Sequence, residues 1–428
     1  MEPLSSLEAA FLGLETPGVE FVYACILELD RELDLDALRA LLELSLDAAP
    51  RYRQRIVRRW GRRPAWSDDP EFRIARHVHA AHVAPPGGLR ELEQLTADLL
   101  ATELPQQHSP WRLWNVSGLA GGRGAVIAMI HHSLSDGLAG FRLLDHVLGA
   151  TPAPRATTRP RPALRRLFTR NNLRALVRML RDGLSPASQI GLNPAHVHRA
   201  RLVTTHEVPM ASLRRVQHGF GATHNDVVLA TVAGGLRRFL ARRGLDVDRL
   251  TDVRAMVPAG MHARTDDATA GNRIALLLAP VPVHIADPRA CLGRITGAMR
   301  NVKRGGATGG GELLVAAADL FGPRLLTDTL RLALRLRAFN TIVTNVPGPA
   351  ATRTLLGARL TGLVPIVNLW PHEALGIAVA SYAGSVFFGL QADRATVPDL
   401  AALRDDLAAA FDALVAAAGS PLPAAAGA

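Results

Sequence analysis

The sequence predicts a mixed α/β fold in two halves joined by a basic linker. Three observations carry this. Strand-length apolar runs alternate with amphipathic helical stretches on both sides of residue 151. The composition changes sharply at Thr151, where a segment rich in Pro, Thr and Arg begins. Finally, 428 residues, 48% hydrophobic and only 20% charged, are enough for two cores and exclude a mainly disordered chain.

Residues 1–150 are read as the first half. Phe21–Leu29 has the aromatic and aliphatic content of a strand. Asp34–Ala49 is predicted helical, because Leu35, Leu38, Leu42 and Leu46 recur at three- and four-residue spacing. Tyr52–Val57 is read as a strand and Leu89–Leu104 as a helix. Gly124–Ile130 is a short apolar run between Gly121-Gly122-Arg123-Gly124 and His131-His132, which predicts a buried strand; Leu138–Leu148 then reads as a helix. Residues 151–200 form the linker and a basic amphipathic helix, Leu164–Leu184. The second half, 201–418, carries a helix at Asp226–Leu240, strands at Val253–Val257 and Ile274–His284, and a helical stretch at Leu313–Leu336. Strands follow at Asn340–Thr344, Gly376–Tyr382 and Val386–Leu390, with a final helix at Leu400–Ala417. Residues 419–428 read as a flexible tail of small residues.

The charge is localised. Basic residues number 49 against 38 acidic, a net of +11, and nine Arg with no acidic residue lie between Thr151 and Arg181. The helix 164–184 therefore has two readings. It lies on an anionic membrane or lipid droplet, or it packs between the halves with a solvated Arg face. No nucleic-acid recognition motif accompanies the charge, so nucleic acid is not an expected partner. Two cysteines, Cys25 and Cys291, exclude a disulfide framework and a Cys-ligated metal cluster. No basic-then-apolar leader opens the sequence, and no apolar run reaches the ~20 residues that span a bilayer. A cytoplasmic protein is expected, without a metal.

The sharpest chemical signal is His131-His132-Ser133-Leu134-Ser135-Asp136-Gly137, where a buried strand runs into a loop. Adjacent histidines at a strand end point to opposite sides, so one of them faces a given cavity. An imidazole takes a hydroxyl proton near neutral pH, which suits a general base. Asp136 can order the loop, and Gly137 permits a tight turn. The plainer alternative is a pair of satisfied histidines in a turn.

These residues match the HHxxxDG motif, and the sequence resembles the CoA-dependent acyltransferase superfamily, specifically the bacterial wax ester synthase/diacylglycerol acyltransferase family. Met1-Glu2-Pro3-Leu4-Ser5 with Ala9-Ala10-Phe11-Leu12 resembles that family's opening. Gly221–Ala230 carries its Asn-Asp motif as Asn225-Asp226. Gly271-Asn272-Arg273-Ile274, Thr344-Asn345-Val346-Pro347-Gly348-Pro349 and Ser381-Tyr382-Ala383-Gly384 match later blocks. The resemblance extends to about Leu403.

It implies two chloramphenicol-acetyltransferase-like α/β sandwich domains with a tunnel at their interface. It also implies O-acyl transfer from acyl-CoA, a substrate rather than a cofactor, to a long-chain alcohol or diacylglycerol. The second histidine, His132, is then the general base beside His131, with no covalent acyl-enzyme. Asp136 is held structurally by an Arg, for which Arg53 stands at a similar position in condensation domains. Asn225 gives polar support near the site; for it or Asp226 the alternative is capping of the following helix. Poorly water-soluble acceptors suit a protein peripheral to the membrane's inner face or to lipid droplets. Departures from the family pattern at Ser109-Pro110-Trp111, Gly260 and His262 bear on acceptor preference. Two alternatives stay open: acylation of a specialised hydroxyl or amine, and a non-catalytic acyl-CoA- or lipid-binding protein.

Overall fold

The computed structural model describes residues 1–58, 60, 62–134, 169–260, 274–304 and 307–419. The predicted helix 138–148, the linker 151–168 and the tail after 419 lie outside these. The chain opens with strand β1 (Glu2–Pro3) and helix α1 (Ser6–Leu14). A capping box starts α1: Ser5 Oγ accepts from Glu8 N (3.2 Å), and Ser5 N donates to the Glu8 carboxylate (2.7 Å). There follow β2 (Val22–Leu29), α2 (Leu35–Ser45), β3 (Gln54–Val57), β4 (Ala65–Asp68), β5 (Val78–His82), α3 (Leu89–Leu100), β6 (Trp111–Leu119) and β7 (Arg123–His131). Tyr52 sits in a 3-10 turn, Pro50–Arg53, before β3, so the predicted strand begins two residues later. Proline at the first position of that turn presets its backbone.

After α4 (Arg170–Gly183) the second half unfolds as β8 (Arg201–Pro209), α5 (Met210–Phe220), α6 (His224–Arg242), β9 (Arg254–Gly260), β10 (Ile274–Pro280) and α7 (Pro288–Arg304). Next come α8 (Ala307–Phe321), α9 (Pro323–Arg335), β11 (Thr341–Pro347), β12 (Thr354–Leu355), β13 (Ala358–Ile366), β14 (Leu375–Tyr382), β15 (Ser385–Asp393) and α10 (Leu400–Gly419). The single helix predicted over 313–336 is two helices. Gly322, at φ 106°, ends the first, and Pro323 starts the second. The strand read over 274–284 stops at Pro280.

Two six-stranded sheets carry the fold, in the orders β12-β13-β2-β7-β6-β5 and β10-β9-β11-β14-β15-β8. The first sheet is not built from the first half alone. Strand β13, from the second half, pairs antiparallel with β2 and aligns Leu363 with Leu27. Strand β13 also runs close to β15 of the other sheet, and Gly389 on β15 makes that approach feasible. A Cβ there would lie 1.9 Å from the Pro365 carbonyl oxygen, so no larger residue fits. A second interlock is Glu93 on α3. Its buried carboxylate accepts from Thr205 N (2.6 Å), Thr205 Oγ1 (3.0 Å) and Thr204 Oγ1 (3.2 Å) on β8.

Each sheet has its own apolar core, and a third cluster bridges them. The bridge joins Phe11 and Leu14 of α1 and Phe21 to Leu326, Phe339, Ile342 and Trp370. It forms one wall of the site described next.

The family-like blocks late in the chain serve this architecture. Gly348 lies so close to β14 that a Cβ would come within 2.2 Å of the Ser381 carbonyl oxygen. Ala383 and Gly384, at φ 45° and 93°, make the tight turn between β14 and β15. Tyr382 donates its hydroxyl proton to Leu360 O (3.1 Å) and accepts from Arg353 N (2.8 Å).

Candidate active site

The histidine pair sits where β7 leaves its sheet, opposite the start of β2. Val22 aligns with His131, and His132 N donates to Phe21 O (2.7 Å). The two imidazoles meet different surroundings, as strand alternation requires.

The His131 ring is buried and fully partnered. Ser133 N donates to its Nδ1 (3.0 Å), which fixes that nitrogen as the acceptor. The ring proton is therefore on Nε2 and is donated to Glu15 Oε1 (2.8 Å). Glu15 lies at the C-terminal end of α1, and Arg58 stands 3.7 Å from its other oxygen. A cavity of about 330 Å³ opens beside this pair, bounded by Leu12, Ile56, Arg58, Glu20 and His108.

The His132 ring turns the other way, toward the bridging apolar cluster. Its centroid is 5.3 Å from that of Phe11 and 4.9 Å from that of Tyr23. Phe21 and Trp370 continue this aromatic wall, with centroids 4.9 Å apart. Burial pushes the His132 pKa down to about 3, and the neighbouring His131 adds to the fall; the Asn368 carboxamide opposes it. The imidazole is thus neutral at physiological pH. Its Nδ1 is buried without a hydrogen-bond partner.

Asp136 and Gly137 lie outside the described residues, and the pairing of Arg53 with Asp136 therefore does too. Arg53 donates to Asp47 Oδ1 and to Glu43 O (both 3.0 Å), and its guanidinium lies 5.7 Å from the centroid of the Phe72 ring. The Asn-Asp motif opens α6. Thr223, not Asn225, is the N-cap, and Asp226 completes the capping box: its carboxylate accepts from Thr223 N (2.9 Å) and its own N–H reaches Thr223 Oγ1 (3.3 Å). Among the described residues, no side-chain hydrogen bond or ring contact joins Asn225 or Asp226 to the histidine pair. Trp111, of the variant Pro-Trp block, is also structural. Its Nε1 donates to Tyr52 O (2.9 Å) and its ring stacks on His77.

The structure adds residues that the sequence reading had missed: Glu15 on His131, Phe11 and Tyr23 on His132, and the loop Asn368–Glu373. Their signals were faint. Glu15 follows the family-like opening block, but nothing local links it to a histidine 116 residues away. Asn368 is a polar residue closing an apolar run, and Glu373 is a carboxylate with no nearby cation in sequence.

In the basic segment, α4 packs against α8 and buries Ala175. Its outer face exposes Leu173 (53%) and Val177 (59%) beside Arg174, Arg178 and Arg181. No helix of the described residues is long and apolar enough to cross a membrane.

Comparison with known proteins fits this geometry. Residues 4–189 match the wax ester synthase/diacylglycerol acyltransferase catalytic domain, and residues 270–415 match the C-terminal domain of the same family. A putative diacylglycerol O-acyltransferase of Mycobacterium tuberculosis is 29% identical over 97% of this chain and 90% of its own. A probable diacylglycerol O-acyltransferase of the same organism, tgs1, is 28% identical over 97% and 96%. In fold, the chain is similar to a wax ester synthase/diacylglycerol acyltransferase from Marinobacter aquaeolei VT8, with a TM-score of 0.72, 24% identity, and 98% and 100% of the two chains covered. It is also similar to the first condensation domain of the CDA synthetase, with a TM-score of 0.66, 17% identity, and 98% and 97% covered. With two sheets of this architecture and both domains of the family matched, the chain belongs to the wax ester synthase/diacylglycerol acyltransferase family and is an O-acyltransferase.

Proposed function

We propose that this enzyme transfers a fatty acyl group from acyl-CoA to the hydroxyl of a long-chain alcohol or diacylglycerol, with His132 as general base. The observation that carries the reading is the state of His132: neutral, and set between the rings of Phe11 and Tyr23 where β7 ends. In the reaction the acceptor oxygen attacks the thioester carbonyl while its proton passes to Nε2. The tetrahedral adduct then expels the CoA thiolate, which takes the proton back. No covalent acyl-enzyme forms and no cofactor or metal takes part. In this reading Asp136, with Arg53 as its proposed partner, and Gly137 serve structurally and move no proton. Asn225 gives polar support to the developing oxyanion, and Asp226 holds the start of the helix that carries it.

Release of free CoA from palmitoyl-CoA tests this directly. Turnover is expected with fatty alcohols or diacylglycerol, and its absence with every acceptor would sink the reading. A second reading has an observation in its favour. The cavity beside His131 sets Glu15, Glu20, Arg58, Gln106, Gln107 and His108 among apolar residues such as Leu12, Ile56 and Leu104, and these polar side chains suit a hydroxyl or amine acceptor. Including glycerol and small amino alcohols in the acceptor panel separates the two, since only the second reading expects them to outcompete dodecanol.

The exposed face of α4 supports contact with an anionic membrane or lipid droplet from the cytoplasmic side. Leu173 and Val177 supply the apolar stripe, and Arg174, Arg178 and Arg181 the charge. Vesicles of phosphatidylglycerol are expected to co-sediment the wild-type protein, and R174E/R178E/R181E is expected to abolish this while leaving turnover of soluble substrates unchanged. Equal sedimentation of the variant would remove α4 as the contact.

A further inference from the structure

Two buried polar atoms on neighbouring residues of this site lack partners. The Nδ1 of His132 has none, and neither does the Oδ1 of Asn368, a residue that is 1% exposed. One can carry the proton of a neutral imidazole and the other is an amide acceptor. Buried groups of this kind are rarely left unpaired, because each costs its full desolvation. The carboxamide favours a proton on the imidazole, as a hydrogen-bonding neighbour does, although neither atom has a partner at ordinary hydrogen-bond geometry.

The orientation of the amide is set independently. Asn368 Nδ2 donates to Leu369 O (3.1 Å), so Oδ1 is the atom left over. The loop that holds Asn368 is anchored at both ends of the site. Trp370 packs on Phe21 and on Phe11, and Phe11 itself touches His132. Glu373 fixes the backbone of Trp370 through its carboxylate (3.0 Å). A rigid loop from the second half therefore presents an acceptor to the imidazole of the first.

We infer that Asn368 is a positioning residue for His132: its carboxamide oxygen takes the Nδ1 proton and so keeps the Nε2 lone pair aimed at the acceptor hydroxyl. This rests on reading His132 as the base. The logic is that of a catalytic imidazole fixed in one tautomer by a third group. The titratable neighbours that face the ring are His131 from its own segment and Tyr23 from β2.

The test uses the full chain labelled with ¹⁵N-histidine. The His132 signal, identified by its loss in H132Q, is expected to show the Nδ1–H tautomer in the wild type and a tautomer mixture in N368A. Kinetically, N368A is expected to lower kcat by ~10–100-fold with both KM values little changed. The isosteric N368D places a carboxylate at the same point and is expected to move the acid limb of the pH–rate profile upward. It also keeps the test open should N368A fail to fold. An Nε2–H tautomer in the wild type would overturn the inference, as would an N368A enzyme with unchanged kcat and tautomer, or an unmoved acid limb in N368D. Because the tautomer is read without turnover, failure here is distinct from failure of the base assignment, which full activity of H132Q would show.

Discussion

Replacing His132 with Gln is expected to lower kcat by about 10²–10⁴-fold, the usual worth of a positioned general base. Glutamine keeps a polar side chain of similar reach between Phe11 and Tyr23, so the packing of this corner survives and KM for acyl-CoA is expected to change little. The pH profile gives a second readout. A histidine is charged below its pKa and neutral above it. With the His132 pKa pushed down to about 3, the base is in its working form throughout the neutral range. The acid limb of kcat/KM therefore falls well below the ordinary histidine range, and activity between pH 6 and 9 owes no slope to this group. An acid limb near the usual value of about 6.5 would show that the imidazole is far better solvated in the working enzyme. A wild-type rate in H132Q would remove it from the chemistry.

The partition of labour between the two histidines shows what a sequence can and cannot display. Their adjacency at the end of a strand already separates them into two environments. Which one is partnered depends on Glu15, brought from the end of α1, and on Ser133, whose N–H turns back to the ring. Asn368 and Glu373 were illegible for a similar reason. They sit on a loop whose position follows from β13 joining the sheet of the other half, and long-range strand pairing leaves no local periodicity. Local signals fared better. The leucine spacing of α2, the apolar run of β7 and the basic stripe of α4 all gave elements close to where their patterns place them. Boundaries moved where backbone chemistry overrode the pattern, as at Pro50 and at Gly322-Pro323. The Asn-Asp motif was half legible: its acid caps a helix, as such residues favour, while the capping hydroxyl belongs to Thr223.

Glu373→Leu is expected to be among the most damaging single changes in the protein, for stability as well as rate. The side chain is completely buried, and its two oxygens accept from Ile342 N and Trp370 N, each at 3.0 Å. Leucine leaves both N–H groups without an acceptor, at roughly 1–3 kcal/mol each. It also frees the loop that carries Trp370 and Asn368 toward His132, so kcat falls together with the denaturation midpoint. The carboxyl has a pH signature of its own. Burial raises its pKa well above the ordinary glutamate value, against the pull of the two N–H donors. The folded state thus holds a proton that the unfolded state has already lost. The stability linked to this group is full below the unfolded pKa of about 4.3 and is lost as pH rises through the folded one, by up to about 1.4 kcal/mol per pH unit. Urea midpoints measured from pH 4 upward are expected to fall more steeply in the wild type than in E373Q, which does not titrate and keeps one acceptor oxygen. Parallel slopes would mean that the carboxyl ionises alike in both states, and its buried hydrogen bonds would then be the whole of its contribution.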